Sequence, residues 1–450
     1  MKVTQYITAP NTVMKKNTIY PCPGEIGGAM VIKTSDEPLK DSFQGFGVAI
    51  TGSSCYELNT MPKQQRADFL NDIYGKNGLN LSVGRLTVGS SDYSAELYSY
   101  DDVENDTELK HFSIERDMNY VLPMIKEIVG LKPGITLFAS PWSPPGWMKT
   151  GGSMCGGYMR EKYIECYARY IVKFINEYEK RGIKITAITP QNEPETAQNG
   201  RMPSCIWHPD IEAKYVTELN KQLKESKLDT KIWMYDHNFS GWKRVLWCFR
   251  EYPELIEACG AAAFHYYEGC ASMLKKLKEE YPDINLHFTE GGPQLLNNYG
   301  TDWCKWGIMM SKALNNGCQT FTGWNLLLDE NGGPNIGPFF CGGLATLNSQ
   351  TGEFTYSGQY HTFRHFSHFI QKGARIYPSD IEFCESSMFA FPGHDINVEC
   401  CAAENPDGSF VLEITNPNSS KAQLQYYKNN QWWYIEALPD SVSTIIFEKA

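Results

Sequence analysis

The feature that most constrains this chain is an alternation that begins near residue 43 and runs to about 370: a short apolar run, a polar loop, then a longer segment with helical spacing. Strands that alternate with helices run parallel, and parallel strands covered on both faces read as near-continuous apolar runs. Eight such runs occur, at 43–51, 79–88, 135–141, 185–190, 231–236, 261–266, 285–289 and 318–326. Eight strand–helix units close a (β/α)8 barrel. In 161–182, Tyr163, Ile164, Tyr167, Ile171, Phe174, Ile175 and Tyr178 share one helical face, and Gly182 follows as the stop. Pro62 opens another helix and Gly75 ends it.

After about residue 372 the texture changes to short β-rich runs at 387–391, 396–402, 410–415, 423–427 and 443–447, separated by turn clusters such as Asn405-Pro406-Asp407-Gly408. The first forty residues share that texture, with 29–33 as a strand. The expected architecture is therefore α/β: a TIM barrel at 43–371 with a side antiparallel β-sandwich formed by both chain ends, 1–42 and 372–450.

Composition excludes several functions. Hydrophobic residues at 42% and charged residues at 21% describe an ordinary folded chain. The net charge of −11 opposes a polyanion-binding surface, so nucleic acid is not an expected partner. No stretch is long and apolar enough for a membrane span, and the start Met1-Lys2-Val3-Thr4-Gln5-Tyr6 lacks the apolar run of a signal peptide. The expected location is cytoplasmic. The 14 cysteines are scattered without a C-x-x-C pair, which signals neither zinc nor a disulfide scaffold. Aromatics reach 13%; most belong to the core, and flat rings with a polar edge also suit sugars.

Functional groups of a barrel project from the C-terminal ends of its strands. Glu193, in Gln191-Asn192-Glu193-Pro194, follows the fourth strand, and Glu290, in Thr289-Glu290-Gly291-Gly292, follows the seventh. A single glutamate there is ordinarily a solvated loop residue. Two facing each other across a barrel mouth match glycoside cleavage, which needs one carboxyl to protonate the leaving oxygen and another to attack the sugar. Asn192 is placed to bond the sugar 2-hydroxyl. Glu195, after Pro194, reads as an exposed loop residue.

With Gly45-Phe46-Gly47, Arg85, Ser140-Pro141-Trp142-Ser143-Pro144-Pro145-Gly146-Trp147-Met148-Lys149-Thr150, Gln191-Asn192-Glu193-Pro194, His265-Tyr266-Tyr267, Thr289-Glu290 and Gly323-Trp324-Asn325 in this order, the chain resembles glycoside hydrolase family 30. That family includes glucosylceramidases, β-1,6-glucanases and related β-glycosidases. The resemblance implies Glu193 as acid/base, Glu290 as nucleophile and retention through a covalent glycosyl-enzyme, with no cofactor and no metal. It also implies Trp142 and Trp324 as walls of the sugar pocket, and Arg85 and Tyr267 beside the nucleophile, where a cation and a phenol stabilise a carboxylate. His265 taken alone reads as a structural histidine, but as part of the matching His265-Tyr266-Tyr267 it is expected, with Arg85, Trp142, Asn192, Tyr267 and Trp324, among the substrate-binding residues.

Two departures bear on the sugar. Gly52 stands where the resemblance implies an Asp for the outer sugar hydroxyls, and Phe339 replaces a polar contact after Pro334-Asn335. Loss of such acceptors relaxes choice at O4 and O6, so β-D-fucosides, β-glucosides or β-galactosides are all expected substrates. The leading expectation is an exo-acting β-glycosidase on a terminal sugar of a small glycoside. The alternatives are an endo-acting β-1,6-glucanase or galactanase, and a carbohydrate-binding protein without chemistry. Other signals lead nowhere. Ile50 blocks the third glycine of a dinucleotide fingerprint, Gly151-Gly152-Ser153-Met154-Cys155 lacks a nucleophile elbow, Asp101–Asp106 reads as a solvated loop rather than a calcium loop, and His361 and His365 lack the glutamate of a zinc helix.

Overall fold

A computed structural model describes residues 2–383 and 398–449. Its centre is a parallel barrel built from Gly45–Ile50, Val83–Val88, Thr136–Pro141, Ala187–Ile188, Lys231–Ile232 with Met234–Asn238, Ala261–His265, Asn285–Glu290 and Cys318–Gly323. All eight expected strands are present. The fifth is split at Trp233: its first half pairs with the fourth strand and its second half with the sixth, so the two ends of the hydrogen-bonded sheet are consecutive in the chain and the ring closes there. The interruption sends the Trp233 indole into the barrel floor, among Val83, Phe138, Ala187, Ala261 and Ala263 and stacked on His287 at 3.6 Å.

The helices follow their sequence signals. Glu161–Tyr163 forms a 3-10 turn that leads into Ile164–Glu179, whose Tyr167, Ile171, Phe174, Ile175 and Tyr178 are all buried. Gly182 takes φ +82°, the left-handed geometry that ends such a segment. Pro62 caps Lys63–Tyr74, and Gly75 terminates it.

Both chain ends build the side domain. One sheet runs Arg375–Tyr377, Glu399–Glu404, Phe410–Asn416, Ser441–Phe447, Val3–Ala9, Thr12–Ile19, and the other Ser379–Phe383, Met30–Thr34, Ala422–Lys428, Gln431–Ala437, Pro21–Cys22. Every pair is antiparallel except Met30–Thr34 with Ala422–Lys428, where an N-terminal strand enters a C-terminal hairpin sheet in the same direction. Val3, Ile32, Leu412, Leu424, Trp433, Ile435 and Phe447 fill the space between the sheets. The strand expected at 387–391 lies outside the described residues. The 101–106 stretch is solvated at its tip, but Asp101 itself is buried and accepts the Val103 amide.

The domains meet where the helices Trp303–Asn315 and Gly358–Phe369 pack on the first sheet. Gly307 permits the approach, since a Cβ there would sit 2.2 Å from Thr415 Oγ1. A polar chain crosses the contact: His365 bridges Thr8 and Thr444 at 2.8 Å each, and Thr444 donates to Glu413 Oε2 at 2.8 Å. Burial pushes the Glu413 carboxyl well above its ordinary value and drives His365 down to about 3. Glu413 therefore binds a proton more tightly folded than unfolded, so its contribution falls as pH rises through the unfolded value toward the folded one. Glu413→Gln, which keeps the neutral shape, is expected to raise the melting temperature by a few degrees at pH 8 and by less at pH 5 in thermal melts.

Candidate active site

Around the C-terminal end of the barrel, side chains from most of its strands line a pocket of about 420 Å³. Trp142, Asn192, Glu193, Tyr267, Glu290, Trp324 and Phe339 line it, and Arg85 and His265 lie directly behind. The chain leaves the fourth strand with Glu193 at φ +51°, and Asn325 beyond the eighth strand adopts φ +61°. Left-handed non-glycine residues cost about 1–3 kcal/mol each and gather where function requires a fixed direction.

Asp236, which the sequence did not single out, organises the floor. It is the extra residue of a bulge in the fifth strand, between Tyr235 and His237, with φ +72°. The bulge turns its carboxylate inward. Oδ2 accepts from Arg85 at 2.8 Å, Ser140 at 2.8 Å and Thr189 at 2.7 Å, and Oδ1 accepts from Thr289 at 2.6 Å and His265 Nε2 at 3.0 Å. Burial raises its carboxyl, but the Arg85 charge and these donors outweigh it and hold the group far below the usual carboxylate range.

Arg85, wholly buried, spreads its donors over the site. Beyond Asp236 it bonds Glu290 Oε2, Asn192 Oδ1 at 2.8 Å and Ser140 at 3.2 Å, and its guanidinium lies 4.7 Å from the Trp142 ring and 5.5 Å from that of Trp324. The two indoles stack on each other at 5.1 Å. With Asn192 Oδ1 occupied, that side chain offers its amide N–H groups to a ligand. Tyr267 donates to Glu290 Oε1 at 2.8 Å.

Glu193 lies in a different environment. Gln198 donates to its Oε2 at 2.8 Å, His265 Nδ1 lies 3.3 Å from its Oε1, and His237 lies 3.8 Å away. Burial would raise this carboxyl; the His265 bond, the two imidazoles and Gln198 outweigh it and lower it. Burial works against the charge of His265, yet Glu290, Asp236 and Glu193 push it up to about 9. His265 is thus part of the charged network rather than a passive structural residue. Glu195 is exposed, as expected, and pairs with Tyr235 and with His237 at 3.3 Å.

Ligand atoms of Glu193, His265 and Glu290 all lie within 4.8 Å of one another, the one such cluster among the described residues. The Arg85 guanidinium already occupies Glu290 Oε2, and its fixed charge opposes a metal ion there.

One expectation changes. Gly52 does not line the pocket; it opens the helix Gly52–Thr60 and faces Ser94. The pocket's extra carboxylate is Asp92, 4% exposed, whose Oδ1 has no hydrogen-bond partner. Burial and then the charges of Glu290 and Glu193 push it well above its ordinary value. The loop after the eighth strand holds it: Ile336 N–H bonds the Asp92 carbonyl at 2.8 Å, and Gly337 lies against its side chain. The pocket therefore presents, besides the two glutamates, a carboxyl group with one oxygen left without a partner. In sequence, Ser90-Ser91-Asp92-Tyr93-Ser94 reads as a turn, and only the long-range packing shows which way Asp92 faces.

A barrel whose mouth holds two opposed carboxylates, an arginine and stacked tryptophans defines a glycoside hydrolase. The chain belongs to family 30: residues 43–370 match the glycosyl hydrolase family 30 TIM-barrel domain. It is 31% identical over 408 residues to an endo-1,6-beta-D-glucanase of Neurospora crassa, covering 86% of this chain and 81% of that protein. It is 26% identical to the lysosomal acid glucosylceramidase of Mus musculus over 88% of this chain and 79% of that one. The solved endo-beta1,6-glucanase BT3312 superposes with a TM-score of 0.86 at 27% identity, covering 100% of this chain and 99% of the other.

Proposed function

We propose that the protein is an endo-acting β-1,6-glucan hydrolase that retains anomeric configuration, with Glu290 as nucleophile and Glu193 as acid/base. The observation that carries the reaction type is the carboxylate spacing: oxygens of Glu193 and Glu290 within 4.8 Å. Retaining enzymes hold their two carboxyls about 5–5.5 Å apart, whereas inverting ones leave about 6.5–9.5 Å for a water.

Glu290, aligned by Arg85 and Tyr267, attacks the anomeric carbon and forms a glycosyl-enzyme ester as the leaving oxygen departs. The departing oxygen takes its proton from Glu193, which receives it from the His265 imidazolium at 3.3 Å as the bond breaks and so is left a carboxylate beside a neutral imidazole. In the second step Glu193, as carboxylate, removes a proton from water, which cleaves the ester from the face the leaving group vacated. Asn192 holds the 2-hydroxyl, Trp142 and Trp324 wall the ring, and Asp92 accepts from its outer hydroxyls.

The choice of β-1,6-glucan follows the relatives, among which named endo-1,6-glucanases reach 31% and 27% identity. These relatives favour the endo-acting alternative over the exo-acting glycosidase expected from the sequence. A terminal β-glycosidase is the second reading, favoured by the glucosylceramidase relative. Incubation with a linear β-1,6-glucan is expected to release a ladder of oligosaccharides from the first minutes. Glucose as the sole early product would overturn endo action, and turnover of a β-fucoside or β-galactoside alone would overturn the glucan.

A further inference from the structure

Two residues beyond Glu193, the same loop carries a second glutamate that returns to the acid/base by way of a histidine. Glu195 Oε2 accepts the Tyr235 hydroxyl and lies 3.3 Å from His237 Nδ1. The opposite nitrogen of that ring, Nε2, lies 3.8 Å from Glu193 Oε1. A carboxylate, an imidazole and the acid/base therefore stand in line. Each nitrogen of the ring faces a carboxylate, and a ring that donates to both is an imidazolium. The two segments are tied together by the Glu193 N–H, which bonds the Asp236 carbonyl at 3.0 Å, and by the Pro194 carbonyl, which accepts the Trp207 N–H at 2.9 Å.

The surroundings are built for this line. His237 is 8% exposed and its Nδ1 has no hydrogen-bond partner, so a buried ring nitrogen is aimed at the Glu195 carboxylate. Gly241 leaves the room: a Cβ there would sit 1.7 Å from the Tyr235 hydroxyl and 3.0 Å from Glu195 Oε2. Arg244, fixed by Glu212 at 3.0 Å and by the Trp207 carbonyl at 2.7 Å, is the cation behind Glu195. Burial would raise the Glu195 carboxyl; the neighbouring His237, the Tyr235 hydroxyl and the Arg244 charge outweigh it and lower it. Glu193 thus lies between two imidazoles, 6.2 Å apart and steeply inclined at 81°, each backed by a carboxylate: His265 by Asp236, and His237 by Glu195.

We propose that Glu195 is a positioning residue which, through His237, holds Glu193 as the carboxylate base of the second step. In that step the water oxygen bonds to the anomeric carbon, its proton passes to Glu193, and the ester bond to Glu290 breaks. A base must be ionised when the water attacks, and an N–H aimed at Oε1 favours the ionised form. The other charged or titratable groups facing Glu193 are His265 from the sixth strand, Glu290 from the seventh and Asp92 from the loop after the second. His237 itself faces Glu193, Glu195, Tyr235 and His265. This inference rests on the retaining reading and adds to it the residues that serve its second half.

The test uses 2,4-dinitrophenyl β-gentiobioside, whose leaving group departs without a proton, so that the second step limits kcat. The full chain, Glu195→Gln, His237→Gln and the double variant are compared from acid to neutral pH. Loss of the donor beside Oε1 makes Glu193 easier to protonate, so the acid limb of kcat is expected to move up by about one pH unit, or about tenfold in kcat at a fixed pH on that limb. KM should fall with kcat, while kcat/KM, which reports the first step, holds. Because Glu195 acts through His237, the double variant is expected to match His237→Gln. Azide attacks the glycosyl-enzyme without a base, and it is expected to restore kcat and yield the β-glycosyl azide. An unmoved acid limb in both single variants overturns the proposal and leaves the retaining reading standing. So does a loss of kcat/KM that azide does not relieve, which is the mark of a merely structural role. A wild type whose first-formed product is the α-anomer overturns the retaining reading, and the proposal with it.

Discussion

Glu290→Gly is expected to lower kcat on an activated aryl β-glycoside by on the order of 10^5-fold, with the fold unchanged by circular dichroism. The carboxylate is where the site concentrates its donors: the Arg85 guanidinium on Oε2 and the Tyr267 hydroxyl on Oε1. Removing it deletes the proposed nucleophile while leaving Glu193, the tryptophan walls and Asp92 in place. Binding should therefore survive, and the loss should fall on kcat rather than on KM. A loss of only a few-fold would mean that Glu290 is not the nucleophile.

Asp236→Ala is expected to cost more stability than any other single change in the pocket, about 3–5 kcal/mol by chemical denaturation. The residue is fully buried and accepts five hydrogen bonds, two of them from Arg85 and His265. Its deletion leaves Arg85 balanced by Glu290 alone and releases the imidazole from its anchor. Asp236→Asn keeps the shape and one acceptor oxygen and is expected to cost less. Because the Asp236 carboxyl is held far below the ordinary range, its stabilisation is complete above the unfolded value and is lost only as pH falls toward the folded one. The stability gap between wild type and Asp236→Asn should accordingly be flat from pH 5 to 8 and narrow in acid. A gap that widens toward acid would show that the charge of Asp236 is not what the network relies on.

How much of this was legible from residue order follows from what each feature depends on. The barrel strands are apolar on both faces because helices and core cover them, so their runs stand out as blocks. Glu193 and Glu290 stand out for a related reason, as charges placed immediately after such blocks. The strand Gln431–Ala437 alternates buried and half-buried residues, yet its Trp432-Trp433-Tyr434 centre is aromatic throughout and hides the period. Thr12–Ile19 is largely polar because it is an edge strand, and polarity there resembles a loop.

Asp236 and Asp92 were not legible, and the reasons differ. Asp236 in Met234-Tyr235-Asp236-His237-Asn238 should point outward by simple alternation from its neighbours, and the bulge reverses it. Asp92 faces the pocket because a loop more than two hundred residues later packs behind it. The same distance effect undid the inference from Gly52: a position after a strand says that a side chain is near the barrel mouth, without saying which way it points. The pocket's extra carboxylate was therefore sought in the wrong segment, while both glutamates stood out, Glu290 as the last residue of its strand and Glu193 shortly after its own.

The assignment of Glu290 is tested most directly by the product that Glu290→Gly forms from a 2,4-dinitrophenyl β-glycoside in the presence of azide. The small anion fits the space of the missing carboxylate and attacks the face that Glu290 would have used. Restored turnover yielding the α-glycosyl azide, identified by proton NMR, is the predicted result. A β-glycosyl azide would place the missing group on the acid/base side and contradict the account, as would the absence of rescue in a variant that still binds the sugar.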